Sequence, residues 1–407
     1  MLTLIKHELF KLFKRVKTLV VVIGFILLTG VMAYGFNHDA ENMKKYNTPE
    51  FKIANLEENI KYIEQDKNNI PPDIKNDQAK AAEYVQNMEE NILQMKNEIV
   101  RLKALNGKEE DWRESLNSRI QEVETMLKQD QRMSQQSKGE MTQELEHLKY
   151  LKAHDIKPTQ YYDFNAFIFI EKLVMVLGQV FLVIGLAMFV SDMVSGECTP
   201  PTLKLLLTQP VSRGKVIFSK FIAVTIAAVG SILVLEALAF VVVGLLYGFG
   251  DSTYPVMVGA KYQFDPSVFL EGGGHPLALI AGSSHIVPIW QYTLNMLLVQ
   301  GLFIMACTSF AFLISTLFKS SMVSMGVSSV SLIAMSIVFS LIGALKKFSI
   351  YVFTSYMDMG AIIKGTTAGM FNNPNSTLGF TALVFIGWTV VCYLISHFVF
   401  TKKDILI

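Results

Sequence analysis

Residues 195–216 read SGECTPPTLKLLLTQPVSRGKV, a polar island with one acid, three bases and three prolines. On either side lie apolar runs, at 165–191 and 218–249, each long enough to cross a bilayer. A membrane helix needs about 20 apolar residues to cross ~30 Å of hydrocarbon. Four more segments meet that requirement, at 18–36, 289–318, 322–345 and 379–400, so six spans are expected. The expected fold class is an all-α, polytopic membrane protein. Only 17% of the 407 residues are charged, below the ~25% usual in soluble domains, and 51% are hydrophobic.

Outward from the island, Lys and Arg mark one side of the membrane. Lys6, Lys11, Lys14, Arg15 and Lys17 precede the first span. Lys204, Arg213 and Lys215 fall between spans two and three and Lys220 at the start of the third, Lys319 lies between four and five, and Lys402 and Lys403 come after six. Loops rich in Lys and Arg stay cytoplasmic. Six spans put all of these on the cytoplasmic side, with both termini; Lys346 and Lys347 are the exceptions. The first span lacks a clean small-residue cleavage site and reads as a permanent anchor, not a signal peptide.

The charge is uneven. Residues 37–163 hold 19 Lys/Arg and 25 Asp/Glu, net −6, whereas the remainder holds 17 and 10, net +7. An acidic insert at 37–164 therefore separates the first two spans, on the extracellular side. Its apolar residues change period: Ile53, Leu56, Ile60 and Ile63, then Val85, Met88, Ile92, Met95, Ile99 and Leu102, then Leu116, Ile120, Val123 and Leu127. Spacing of three and four is the seam of coiled-coil helices. Pro71-Pro72-Asp73 and Asn106-Gly107 break the helices, and Ser137 with Glu140 suggests a capping box. An antiparallel helical stalk follows, serving as a spacer, a dimerisation arm or a docking module. His147 and His154 are read as solvated. None of Cys198, Cys307 and Cys392 lies in the insert, so no disulfide framework is available there.

Residues 1–17 form a basic amphipathic elbow, with Leu2, Ile5, Leu9, Leu12 and Val16 in one stripe. Small residues crowd the fifth span, among them Ser324, Gly326, Ser328 and Ser331, and allow close helix packing. Glu236 stands near the middle of the third span. A carboxylate there is costly, so it should face protein or water, either as packing glue hydrogen-bonded to a neighbouring helix through Asn295 or Gln300 of the fourth span, or as part of a transport pathway or proton relay. The Glu171-Lys172 pair is explained by snorkelling. Residues 250–288 read as an outer loop, in which Glu271, His275 and His285 have spacing unsuited to a metal. Residues 346–378 read as an outer segment of short helices dipping back into the membrane, and 401–407 as a cytoplasmic tail.

No phosphate-binding G-x-x-x-x-G-K-[ST] is present, nor H-E-x-x-H, C-x-x-C or G-x-S-x-G, so no catalytic residue and no cofactor are assigned to the chain. Transport would need an ion gradient or a second protein. One intramembrane glutamate and no visible repeat disfavour an ion-coupled carrier. A sensory protein built around the stalk is the other alternative.

Glu197 shortly after the second span, the Thr-bearing turn, Leu205-Leu206-Leu207, Pro210-Val211-Ser212-Arg213 and Lys220 together resemble the permease subunit of bacterial type-2 ATP-binding-cassette exporters. The elbow, the six spans and the dipping segment fit the same family. The resemblance implies that 192–217 carries a short coupling helix seated in a cleft of a separate ATPase. Glu197, Thr199, Arg213 and Lys220 would be its polar contacts or anchors, Leu205, Leu206 and Leu207 its apolar face, and Pro210 its end. One departure is Thr199-Pro200-Pro201-Thr202, where many members have Gly-Thr. The resemblance further implies two ATPase copies holding ATP and magnesium, and a second permease subunit, identical or not. It also implies a bacterial cell membrane of lipids around the protein. A lipid, peptide, antibiotic or glycan-related cargo would move outward; no nucleic-acid partner is expected.

Overall fold

The computed structural model describes residues 1–68, 78–104, 111–129, 133–197, 211–269, 274–342, 345 and 347–402, and the chain is mostly helical. It divides into two compact units. One comprises Tyr34–Glu122 and Lys152–Phe164, the other Met1–Ala33, Val123–Leu151 and Asn165–Ile407.

The helices in chain order begin with α1 (Leu2–Phe13), α2 (Val16–Tyr46), α3 (Pro49–Asn68), α4 (Gln78–Ala104), α5 (Trp112–Gln129) and α6 (Gln135–Ala153). In the smaller unit α3 and α4 pack around buried Ile60, Ile92 and Ile99, flanked by Ile53, Leu56, Ile63 and Met95. These are the residues of the three-four stripe. Ion pairs join Lys67 to Glu89, Glu64 to Lys96 at 3.8 Å and Glu57 to Lys103 at 3.0 Å. Numbers that fall along one helix while they rise along the other make the pair antiparallel. Beyond it, Arg113 forks onto Asp155 with two bonds of 2.7 Å.

The larger unit continues with α7 (Ala166–Val176) and α8 (Leu182–Val190), joined by a π turn at Leu177–Phe181. A Cβ on Gly178 would lie 2.2 Å from the Met357 carbonyl oxygen, so only glycine permits that approach. Then come a 3-10 turn (Ser195–Glu197), α9 (Arg213–Tyr247), α10 (Ile289–Leu317), α11 (Ser321–Leu341), α12 (Met359–Lys364), α13 (Thr367–Phe371) and α14 (Leu378–Lys402). Among the described residues five helices are long and apolar enough to cross a membrane: α2, α9, α10, α11 and α14.

Helix α10 is the hub, packed against α8, α9, α11, α12 and α14. Its small residues explain this. Ala306, Cys307, Ser309, Ala311 and Ser315 are all buried and let neighbouring backbones approach. Ser324, Ser328 and Leu332 form the buried stripe of α11, and Ser324 Oγ donates to the Ser191 carbonyl at 2.6 Å.

Two sequence expectations are corrected, at the start of α6 and at His147, and within the mostly helical chain 250–288 holds the short strands β1 (Pro255–Val258), β2 (Tyr262–Phe264), β3 (Leu277–Leu279) and β4 (His285–Pro288). They pair antiparallel as β1 with β4 and β2 with β3. Helix α6 starts earlier than Ser137, because Ser134 Oγ accepts from the Ser137 backbone N–H at 3.2 Å and so caps the first turn. His147 is not a solvated surface histidine; it is half-buried, with Nε2 3.3 Å from the Pro255 carbonyl and its ring edge-on to Tyr254. His154 lies beyond the end of α6.

Candidate functional site

Where α8 ends, α1 and the first turns of α9 close around a buried cluster of charge. Lys220 is 0% exposed, although it lies only two turns into α9. Its Nζ donates to Glu197 Oε1 at 2.7 Å and to Glu8 Oε1 at 3.0 Å. Lys11 joins the cluster by pairing with Glu197. Two acids and two bases therefore balance. The elbow contributes one of each because Leu12 and Glu8 form the face of α1 that is buried. Leu4, Ile5 and Leu9 are half-buried, and Leu2, Phe10 and Phe13 are exposed.

Burial alone would raise the Glu197 carboxyl, but the Lys220 and Lys11 ammonium groups outweigh it and hold the group below its usual range. One oxygen of Glu8 and one of Glu197 stay buried without a hydrogen-bond partner among the described residues. A buried ion cluster of this kind depends on every member, since removing one leaves an uncompensated charge.

The same junction is held from other sides. Ser315 Oγ of α10 accepts from the backbone N–H of Val194 and Ser195, at 3.0 and 3.1 Å. Ser195 Oγ donates to the Ser191 carbonyl at 2.8 Å. The turn at 195–197 is thus tied to α10 and, through Ser191 and Ser324, to α11. The consequence is geometric. Glu197 and Lys220 stand 23 positions apart in sequence and 2.7 Å apart in space, so they clamp the base of the segment between them.

Of the residues singled out in sequence, Glu197 and Lys220 come together, and both are buried. Arg213 is exposed at the first position of α9. Thr199, Leu205, Leu206, Leu207 and Pro210 lie outside the described residues, as do Cys198 and Glu271. Glu8 was missed. A glutamate in a basic amphipathic helix reads as a solvated residue unless its partner on another helix is known.

Deeper in the bundle Gln300 Nε2 donates to Glu236 Oε1 at 2.7 Å, and both side chains are buried. Asn295 is half-buried, and Gln300 rather than Asn295 bonds to Glu236. Glu236 Oε2 and Gln300 Oε1 are each left without a partner among the described residues. Glu236→Gln therefore supplies an amide N–H for the Gln300 oxygen and is expected to be tolerated. Glu236→Leu breaks the bond and should cost on the order of 0.6 kcal/mol, the mean for such bonds in lipid. Unfolding midpoints of the purified variants check this; a Gln variant weaker than the Leu variant would contradict it.

In the middle of α7, Glu171 accepts from Tyr292 Oη at 2.8 Å and from Lys364 Nζ at 2.6 Å. Snorkelling alone therefore does not describe Glu171: it docks α12 onto α7 and α10. The left-handed Gly365 closes α12, and a Cβ there would lie 2.2 Å from the Ala260 carbonyl oxygen. Among the described residues no three metal-ligating side chains converge, and His275 Nδ1 is 2.8 Å from the Val268 carbonyl.

A family model described as "ABC-2 family transporter protein" matches residues 2–405. No curated protein matches the chain.

Proposed function

The chain belongs to the ABC-2 family of transporter proteins, and from that premise we propose that it is the permease subunit of an exporter driven by a separate ATPase. The observation that carries the reading is the Glu197–Lys220 clamp. It fixes both ends of the segment with Leu205-Leu206-Leu207, so that a force on this segment passes directly into α8, α9 and the elbow.

In this reading Ala166–Val190, interrupted only by its π turn, is the second of six spans. The elbow, the 192–217 segment and both termini face the cytoplasm, and the insert at 37–164 is an extracellular helical stalk. Two ATPase subunits bind ATP and magnesium, close, and displace the coupling segments of a permease pair. The bundle then changes between two states, each favoured by one nucleotide state of the partner. The cargo is a lipid, peptide, antibiotic or glycan-related compound that moves outward across a bacterial cell membrane.

Affinity purification of the full chain from its native membrane tests the reading. The expected result is a co-purifying chain that carries a phosphate-binding loop and hydrolyses ATP. Recovery of the intact chain with no such partner would contradict it.

A further inference from the structure

Between α2, α8 and α9 lies a shallow apolar crevice, open on one side. Val21 and Phe25 form one wall, Gly185 and Phe189 the second, and Ile232 and Leu235 the third. The Phe25 ring reaches the floor because Gly185 has no side chain; a Cβ there would lie 2.5 Å from the ring. No charged residue lines the crevice.

Charge gathers at one end of it. Lys17 lies about one helical turn before Val21 on α2, and Asp192 about one turn beyond Phe189. Arg15 and Lys17 share the single carboxylate of Asp192, at 3.4 and 3.5 Å. Two cations on one acid leave the group with a net positive charge. It stands where the apolar part of α2 begins, the level at which headgroups meet hydrocarbon.

We propose that this crevice binds an anionic phospholipid of the bilayer, its acyl chain against Phe25 and Phe189 and its phosphate on Arg15 and Lys17. The match is of two kinds at once. The walls are apolar along their length, as an acyl chain requires, and the cation surplus stands at the one end where a phosphate would sit. A lipid without net charge matches the walls but not the surplus. The ligand is resident, held beside the α1–α2 elbow, and is distinct from any cargo. The inference rests on the membrane embedding of the family and not on the exporter reading.

Native mass spectrometry of the purified full chain, titrated with phosphatidylglycerol or with phosphatidylcholine of the same acyl chains, tests it. Wild type should retain phosphatidylglycerol in preference. Lys17→Gln should weaken that binding about fivefold, the equivalent of ~1 kcal/mol per charge at an anionic surface. Asp192→Asn should strengthen it by a similar factor, because it removes the competing carboxylate. An ion pair with a structural role only would make these two variants change in the same direction, and that result would overturn the proposal. Equal retention of the two lipids would overturn it as well. Ser231→Phe, which fills the crevice, should weaken both lipids; unchanged binding in that variant, or a second copy of the chain covering the crevice in place of lipid, would also overturn it. Should Ser231→Phe fail to accumulate, the opposed signs of Lys17→Gln and Asp192→Asn decide the matter.

Discussion

Lys220→Met is expected to destabilise the protein by about 3–5 kcal/mol, the usual cost of breaking a buried ion pair by removing one partner. Lys220 is fully buried, and its ammonium is the only one of the cluster withdrawn from water, since Lys11 is 44% exposed. Without Lys220, Glu8 and Glu197 remain buried with one cation between them. Among the described residues each already has one oxygen without a partner. Adding Glu8→Gln to Lys220→Met restores the charge balance. The double variant should therefore lose less than the sum of the two single losses, with a coupling of about 0.5–3 kcal/mol. Unfolding of the purified variants in detergent measures both quantities, and additive losses would show that the charges do not act as one cluster.

The cluster also sets a pH dependence. The Glu197 carboxyl is held below its ordinary value of 4.5. Its contribution to stability is therefore fully present above the titration range of the unfolded carboxyl. It falls away as pH drops from about 5 through the lower folded value. In Glu197→Gln that part of the acid sensitivity should disappear.

The second large effect is expected at Leu206→Asp. A leucine buried in a partner's cleft contributes about 1.5–3 kcal/mol, so its loss alone weakens binding roughly tenfold to a hundredfold. An unpaired carboxylate in the same cleft adds a desolvation cost. The expected outcome is a permease present in the membrane at its normal level but stripped of the ATPase, or joined to one whose hydrolysis no longer drives transport. A membrane blot beside a detergent pull-down reads both. Full binding with normal coupling would show that the leucines are not the contact. Should Leu206→Asp fail to accumulate, the milder Leu206→Ser gives the same comparison.

Much of the architecture is legible in one dimension because it rests on period and length. The three-four stripe through Ile53, Ile60, Ile92 and Ile99 marks the face that α3 and α4 bury against each other. Of the small residues in the fifth apolar run, Ser324 and Ser328 lie on the face that α11 turns inward, whereas Gly326 is exposed. What escapes such a reading is whatever depends on a partner distant in sequence. The strands at 250–288 are three or four residues long, too short for alternation to stand out, and β1 finds its partner only in β4. Glu8, Glu197 and Lys220 look like ordinary interfacial charges until three separate elements bring them together. Glu171 pairs with the neighbouring Lys172 in sequence, yet its bonds go to Tyr292 and Lys364. Gln300 was one of two equally placed amides, and packing of α9 on α10 decided between them.

The most direct test of coupling through the 192–217 segment is site-specific photo-cross-linking in intact cells. One form of the full chain carries the photoreactive residue at position 206, and a second carries it at position 106 in the insert. The account predicts an adduct from position 206 with an ATP-hydrolysing chain and none with that chain from position 106. An adduct from position 106 with the ATPase, or its absence at position 206 while the ATPase still co-purifies, would contradict it.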